Sequence, residues 1–134
     1  MGLSMKLIRA DILAAEKMIS VYETDKSSDI KVIIAFHIQQ ACEKLIKIQI
    51  YKNGGNENDS KYHTHNIERL IRFAESSGID IIVPKYVREK YGDITLWEAS
   101  GRYDEDFSVR IDTLKKACSV IYEWYNDLKS SGLR

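Results

Sequence analysis

Phe36-His37-Ile38-Gln39-Gln40-Ala41-Cys42-Glu43-Lys44-Leu45-Ile46-Lys47 is the stretch that decides the fold. Ile34, Ile38, Ala41, Leu45 and Ile48 recur through and around it at helical spacing, so it reads as the middle of a long helix that buries one stripe. Gln40, Glu43, Lys44 and Lys47 gather on a neighbouring stripe. Two glutamines, a histidine and an acid–base run are more polar groups than burial requires, and that face is the candidate recognition surface.

Towards the N-terminus, Met5, Ile8, Ile12, Ala15, Ile19 and Tyr22 repeat every three or four residues, which predicts an amphipathic helix ending near Tyr22. The polar run from Thr24 to Asp29 breaks the pattern, and Ser28 or Asp29 is the expected cap of the central helix, which continues to about Lys52. Beyond it, the polar, glycine-rich run from Asn53 to Ser60 reads as a solvated loop between antiparallel helices. A third helix starts around Thr64 to Asn66, carries Ile67, Leu70, Ile71 and Ala74 inward, and ends at Ser76-Ser77-Gly78.

Ile79-Asp80-Ile81-Ile82-Val83 resembles a strand in composition, but Pro84 follows, and proline favours the first turn of a helix. The segment is therefore expected to be an apolar linker into a short helix through Tyr86, Val87 and Tyr91, which Gly92-Asp93 breaks. Thr95 to Phe107 shows no clear period. Ser108 or Asp106 is the expected cap of the last helix, whose seam is Ile111, Leu114, Ala117, Cys118, Ile121, Tyr125 and Leu128. The reading is all-α: an up-and-down bundle of four long helices plus a short extra helix, forming one domain over residues 1–134.

Composition narrows the function. The chain of 134 residues is 44% hydrophobic and 30% charged, the balance of an ordinary globular protein. Its 20 basic and 20 acidic residues cancel, which argues against gripping nucleic acid through bulk charge. Cys42 and Cys118 sit at or beside apolar helical positions and read as reduced, buried thiols of a cytoplasmic protein. Lys6 interrupts the N-terminus before any apolar run of signal-peptide length, and the longest stretch without Asp, Glu, Lys or Arg, Val32 to Cys42, is too short for a membrane span. Gly54-Gly55 lacks the Lys-Ser/Thr of a phosphate loop. His63 and His65 point in different directions at a helix start, so no metal site is expected, and Thr64 and His65 are read as capping or orienting the third helix.

Three pieces, in order, carry a family resemblance. The stretch from Phe36 to Lys47 resembles the F-H-x-Q-Q-A-x-E-K-x-x-K helix of HEPN domains; Thr64-His65-Asn66-Ile67 with Leu70 resembles that family's T-H-D/N-L-x-x-L helix start; and Gly101-Arg102-Tyr103-Asp104 is similar to its A-R-Y-P segment before the final helix. The resemblance implies a helical bundle that forms a homodimer, is often encoded beside a minimal nucleotidyltransferase in a two-component, toxin–antitoxin-like module, and binds nucleotide or RNA. Some branches cleave RNA with an arginine followed four to six residues later by a histidine. No arginine here has a histidine at that spacing, and Arg110 reaches only Lys115 and Lys116.

The resemblance therefore implies binding ahead of catalysis. The expected ligand contacts are Gln40, Lys44 and Lys47, with Arg102 and Tyr103 closing the site; Glu43 and His65 support them, and the ligand class is a nucleotide with no fixed cofactor. Each residue also has a plainer reading: Gln40 and Lys44 bonded to neighbours, Arg102 paired with Asp104, Glu105 or Glu43, and His37 a satisfied, partly buried side chain. Two alternatives stand beside binding. One is a divergent ribonuclease in which His65 or His37 moves the proton, since such cleavage needs a group that exchanges protons near neutral pH. The other is a structural dimer whose polar face docks a partner protein.

Overall fold

A computed structural model describes residues 3–55, 63–99 and 108–133. Among these residues there are five helices and no strand: α1 (Met5–Tyr22), α2 (Ser28–Lys52), α3 (Ile67–Ser76), α4 (Lys85–Leu96) and α5 (Ile111–Ser130). The all-α bundle expected from the apolar periodicity is the fold that forms. No helix among the described residues is long and apolar enough to cross a membrane.

The 25-residue α2 is the axle of the bundle and touches all four other helices. The stripe from Ile34 to Ile48 is only part of what it buries: Cys42, Ile46 and Ile50 cover a second side, and Gln39, Glu43 and Gln49 go in with them. A helix packed on several sides cannot keep a single apolar stripe, and its buried polar groups must find partners. α1 and α5 pack against α2 and each other through Ile8, Ile12, Leu114, Ile121 and Trp124, while α3 and α4 close the far side with Leu70, Ile71, Val87 and Ile94. Each fully buried isoleucine or leucine contributes roughly 1.5–3 kcal/mol.

The helix ends differ from expectation in small, explicable ways. Ser27, one residue before the expected cap, takes the extended conformation and accepts from the Ile30 amide at 3.4 Å. Asn66 caps α3 by accepting from the Arg69 amide at 3.1 Å, with Thr64 Oγ1 accepting from the Asn66 amide at 3.1 Å. Thr95 of α4 takes the next free donor, the Ile67 amide, at 3.0 Å. Gly78, at φ +70°, turns the chain out of α3 so that the Ile79 amide reaches the Ala74 carbonyl at 2.9 Å, a closure that needs a residue without Cβ strain.

Two expectations are corrected. Gly92-Asp93 does not end the fourth helix, which runs to Leu96: one helical glycine costs only about 1 kcal/mol, less than the burial of Val87 and Ile94 on the same face returns. Ser108 does not cap α5, and Asp106 lies outside the described residues; Arg110 holds the cap position without a side-chain bond. The approach to α5 is fastened instead by Lys31 Nζ of α2, which donates to the Val109 carbonyl at 2.9 Å.

The apolar linker before Pro84 carries no regular secondary structure and joins no sheet among the described residues. The Gln49 amide stands in for a neighbouring strand. Its Oε1 accepts from the Ile82 amide at 2.7 Å, and its Nε2 donates to the Ile82 carbonyl at 3.0 Å. Trp124 Nε1 donates to the same carbonyl at 2.9 Å, so the backbone of Ile82 is held although the residue is 63% exposed.

Candidate functional site

Helical spacing places His37, Gln40, Lys44 and Lys47 in one row along α2, with Gln39 and Glu43 on the flank that turns inward. The row lies between α1 and the entry to α3, and each side supplies a partner.

On the α1 side, Asp11 is 9% exposed and is shared by two residues of the row. His37 Nδ1 lies 3.0 Å from Asp11 Oδ1, and Lys44 Nζ donates to Oδ2 at 2.7 Å. The Phe36 ring meets His37 edge-on with centroids 5.4 Å apart, which fixes the plane of the imidazole.

On the α3 side, Glu43 is 5% exposed and accepts three bonds. His65 Nδ1 at 2.9 Å and Gln39 Nε2 at 3.1 Å reach its Oε1, and Lys47 Nζ donates to Oε2 at 2.8 Å. Gln39 Nε2 also donates to the His65 carbonyl at 3.1 Å, tying the backbone ahead of α3 to α2. Gln40 Nε2 donates to Gln39 Oε1 at 2.7 Å, so this cluster extends sideways into the exposed row.

The result is two copies of one arrangement: a nearly buried carboxylate holding one histidine and one lysine. Because a carboxylate only accepts, each histidine presents its Nδ1–H inward and leaves Nε2 as its second, outward functional nitrogen. The side chain of His65 is 61% exposed. Each carboxylate is matched by a lysine, so removing the lysine leaves a nearly buried carboxylate without that counter-ion. Among the described residues no three His, Cys, Asp or Glu side chains converge as a metal would need.

Of the residues singled out in the sequence, the structure brings Gln40, Glu43, Lys44, Lys47, His37 and His65 onto one connected face. Glu43 holds Lys47 and His65; Lys44 goes to Asp11 instead. Arg102 and Tyr103 lie outside the described residues. Two members were missed. Asp11 sits between Ile8, Ile12 and Ala15, where a lone acid at a core-edge position signals a buried partner, and Gln39 shares its inward flank with Cys42 and Ile46.

Two buried thiols and one paired arginine lie outside this face. Burial, and secondarily the Glu43 carboxylate, pushes the Cys42 thiol far up; burial pushes Cys118 up to about 11, so both are poor nucleophiles. The Arg9 guanidinium donates to Glu16 Oε1 at 2.8 Å, which strengthens its hold on the proton, and it lies 4.9 Å over the Tyr122 ring.

Comparison with protein families gives one result: the HEPN domain model matches residues 10–129. No curated protein and no solved structure matches the chain.

Proposed function

The chain belongs to the HEPN-domain family, and on that basis we propose that it is a non-catalytic binding domain, forming a homodimer in the cytoplasm and taking a nucleotide, a minimal nucleotidyltransferase partner, or both, in a toxin–antitoxin-like module. The observation that carries this reading is the prearranged α2 face. Gln40, Lys44 and Lys47 stand in one row, held by Asp11, Gln39 and Glu43 rather than free to sample rotamers. Lysines held in place present hydrogen-bond donors to an anionic ligand at a lower ordering cost than mobile ones. The absence from all 134 residues of an arginine followed four to six positions later by histidine favours binding over cleavage.

Titration with nucleoside triphosphates tests the ligand half. Saturable heat, or a rise in melting temperature, that Lys44→Gln and Lys47→Gln reduce is the expected result. No signal at millimolar nucleotide leaves only the partner-binding version, which co-purification from the native host decides. Sedimentation tests the dimer.

One observation favours a second reading as a ribonuclease. A histidine whose Nδ1–H is held by a carboxylate, with the opposite ring nitrogen outward, is oriented as general bases are, and His65 has that geometry against Glu43. Incubation with structured and single-stranded RNA decides between the readings: cleavage lost in His65→Ala or His37→Ala establishes catalysis, and no cleavage by the intact protein removes it.

A further inference from the structure

The start of α1 and the end of α5 meet in a groove of about 670 Å³, away from the polar face of α2. Met5, Tyr125 and Leu133 form its apolar lining, and Lys6, Arg9 and Lys129 border it, with no carboxylate among the lining side chains of the described residues. The volume lies within the range of small-molecule sites, which pair an apolar floor with a few polar anchors.

The charges around the groove are unbalanced. Arg9 is matched by Glu16, but among the described residues neither Lys6 nor Lys129 forms an ion pair. Lys6 stands in the first turn of α1, which contains no acidic residue, so its ammonium adds to the positive end of the helix dipole where an acid would be favourable. The opposite wall is fixed. Gly132, at φ +100°, lets the Leu133 amide return to the Leu128 carbonyl at 3.1 Å, which sets Leu133 against the groove. Two ammonium groups with no ion-pair partner among the described residues, over a preformed apolar floor, complement a molecule with an anionic head and an apolar body.

We infer that this groove binds a small amphipathic anion, its carboxylate or phosphate head between Lys6 and Lys129 and its apolar body against Met5, Tyr125 and Leu133. The site goes beyond the function proposed above and shares no residue with the α2 face.

The probe is 8-anilinonaphthalene-1-sulfonate, an amphipathic anion that fluoresces in apolar surroundings, titrated into the folded 134-residue chain. One saturable site per chain is expected, weakened roughly tenfold or more in the Lys6→Gln/Lys129→Gln variant and restored by arginine at both positions. Both lysines are exposed, so the melting temperature stays unchanged and separates lost binding from lost folding. Lys44→Gln/Lys47→Gln leaves the probe's affinity as it was. Decanoate and adenosine monophosphate then compete: displacement by the first identifies a carboxylate head, by the second a phosphate head. The inference is overturned by no saturable binding, by unchanged binding in the Lys6/Lys129 variant, by equal loss in the Lys44/Lys47 variant, or by failure of both competitors. Each of these outcomes leaves the nucleotide titration on the α2 face to stand or fall separately.

Discussion

Glu43 and Gln49 lie on the same helix and are almost equally buried, at 5% and 2% exposed, yet they do opposite work. Gln49 spends its amide on backbone: the Leu45 and Ile82 carbonyls and the Ile82 amide, a neutral closed set completed by Trp124. Glu43 is held by a lysine, a histidine and an amide, and one of its partners, His65, stands mostly in water. A neutral cluster whose partners are backbone can only hold the chain in place. An ionic cluster that leads from the interior to the surface can also respond to what arrives there. Burial alone does not separate scaffold from site; the identity and exposure of the partners do.

The largest effect should come from breaking the closed set. Gln49→Leu keeps the volume but leaves the Ile82 amide unpaired, and should lower stability by about 2–3 kcal/mol in urea denaturation. Trp124→Phe, which removes one of two donors to the Ile82 carbonyl, should lower it by about 1 kcal/mol or more, part of it from lost packing. If Gln49→Leu were silent, the linker would be held by the Trp124 bond, Pro84 and apolar packing without the amide.

The ionic side should be softer. Glu43→Gln preserves shape but removes the charge opposite Lys47 and His65; Lys47 can turn towards water, so the loss should be about 1–2 kcal/mol. Asp11→Asn should lie at the lower end of that range, because His37 and Lys44 are each more exposed than Lys47. A loss from Glu43→Gln exceeding that of Gln49→Leu would reverse the division between scaffold and site.

How much of this contrast could be read from the sequence differs between the two clusters. The apolar period placed α1, α2 and α5, and the Gln-Glu-Lys run marked the face, because spacing along one helix is a local property. The partners were not legible. That Lys44 meets Asp11 rather than Glu43 depends on how α1 lies against α2, and that Gln49 serves as a substitute strand depends on where the linker returns, contacts between residues 33 positions apart in each case. Gly92 misled for a related reason: its local preference is to break a helix, and the burial of Val87 and Ile94 overrides it.

The thiols probe the dry interior that both clusters share. Cys42 precedes Glu43, and Cys118 packs in α5; their protons are held more tightly folded than unfolded, where a thiol titrates near 9.0. Stability from this source is complete below pH 9.0 and is lost as pH rises towards about 11. Urea midpoints measured across that window should fall, and Cys118→Ala should reduce the slope. A flat profile would mean that water reaches Cys118 in the folded protein.

The smallest effect on stability, and the one that defines the site most sharply, belongs to His65. Its ring is 61% exposed and its bond to Glu43 is screened by water, so His65→Ala should change stability by less than about 0.5 kcal/mol. Its carbonyl, which accepts from Gln39, remains in the variant and still ties the entry of α3 to α2. Any change in nucleotide affinity or RNA cleavage in that variant is therefore a property of the imidazole rather than of the fold. If His65→Ala instead unfolded the protein as readily as Gln49→Leu, Glu43 would belong to the scaffold, and the search for a responsive group would move to His37 and Asp11, where the same arrangement of carboxylate, histidine and lysine recurs.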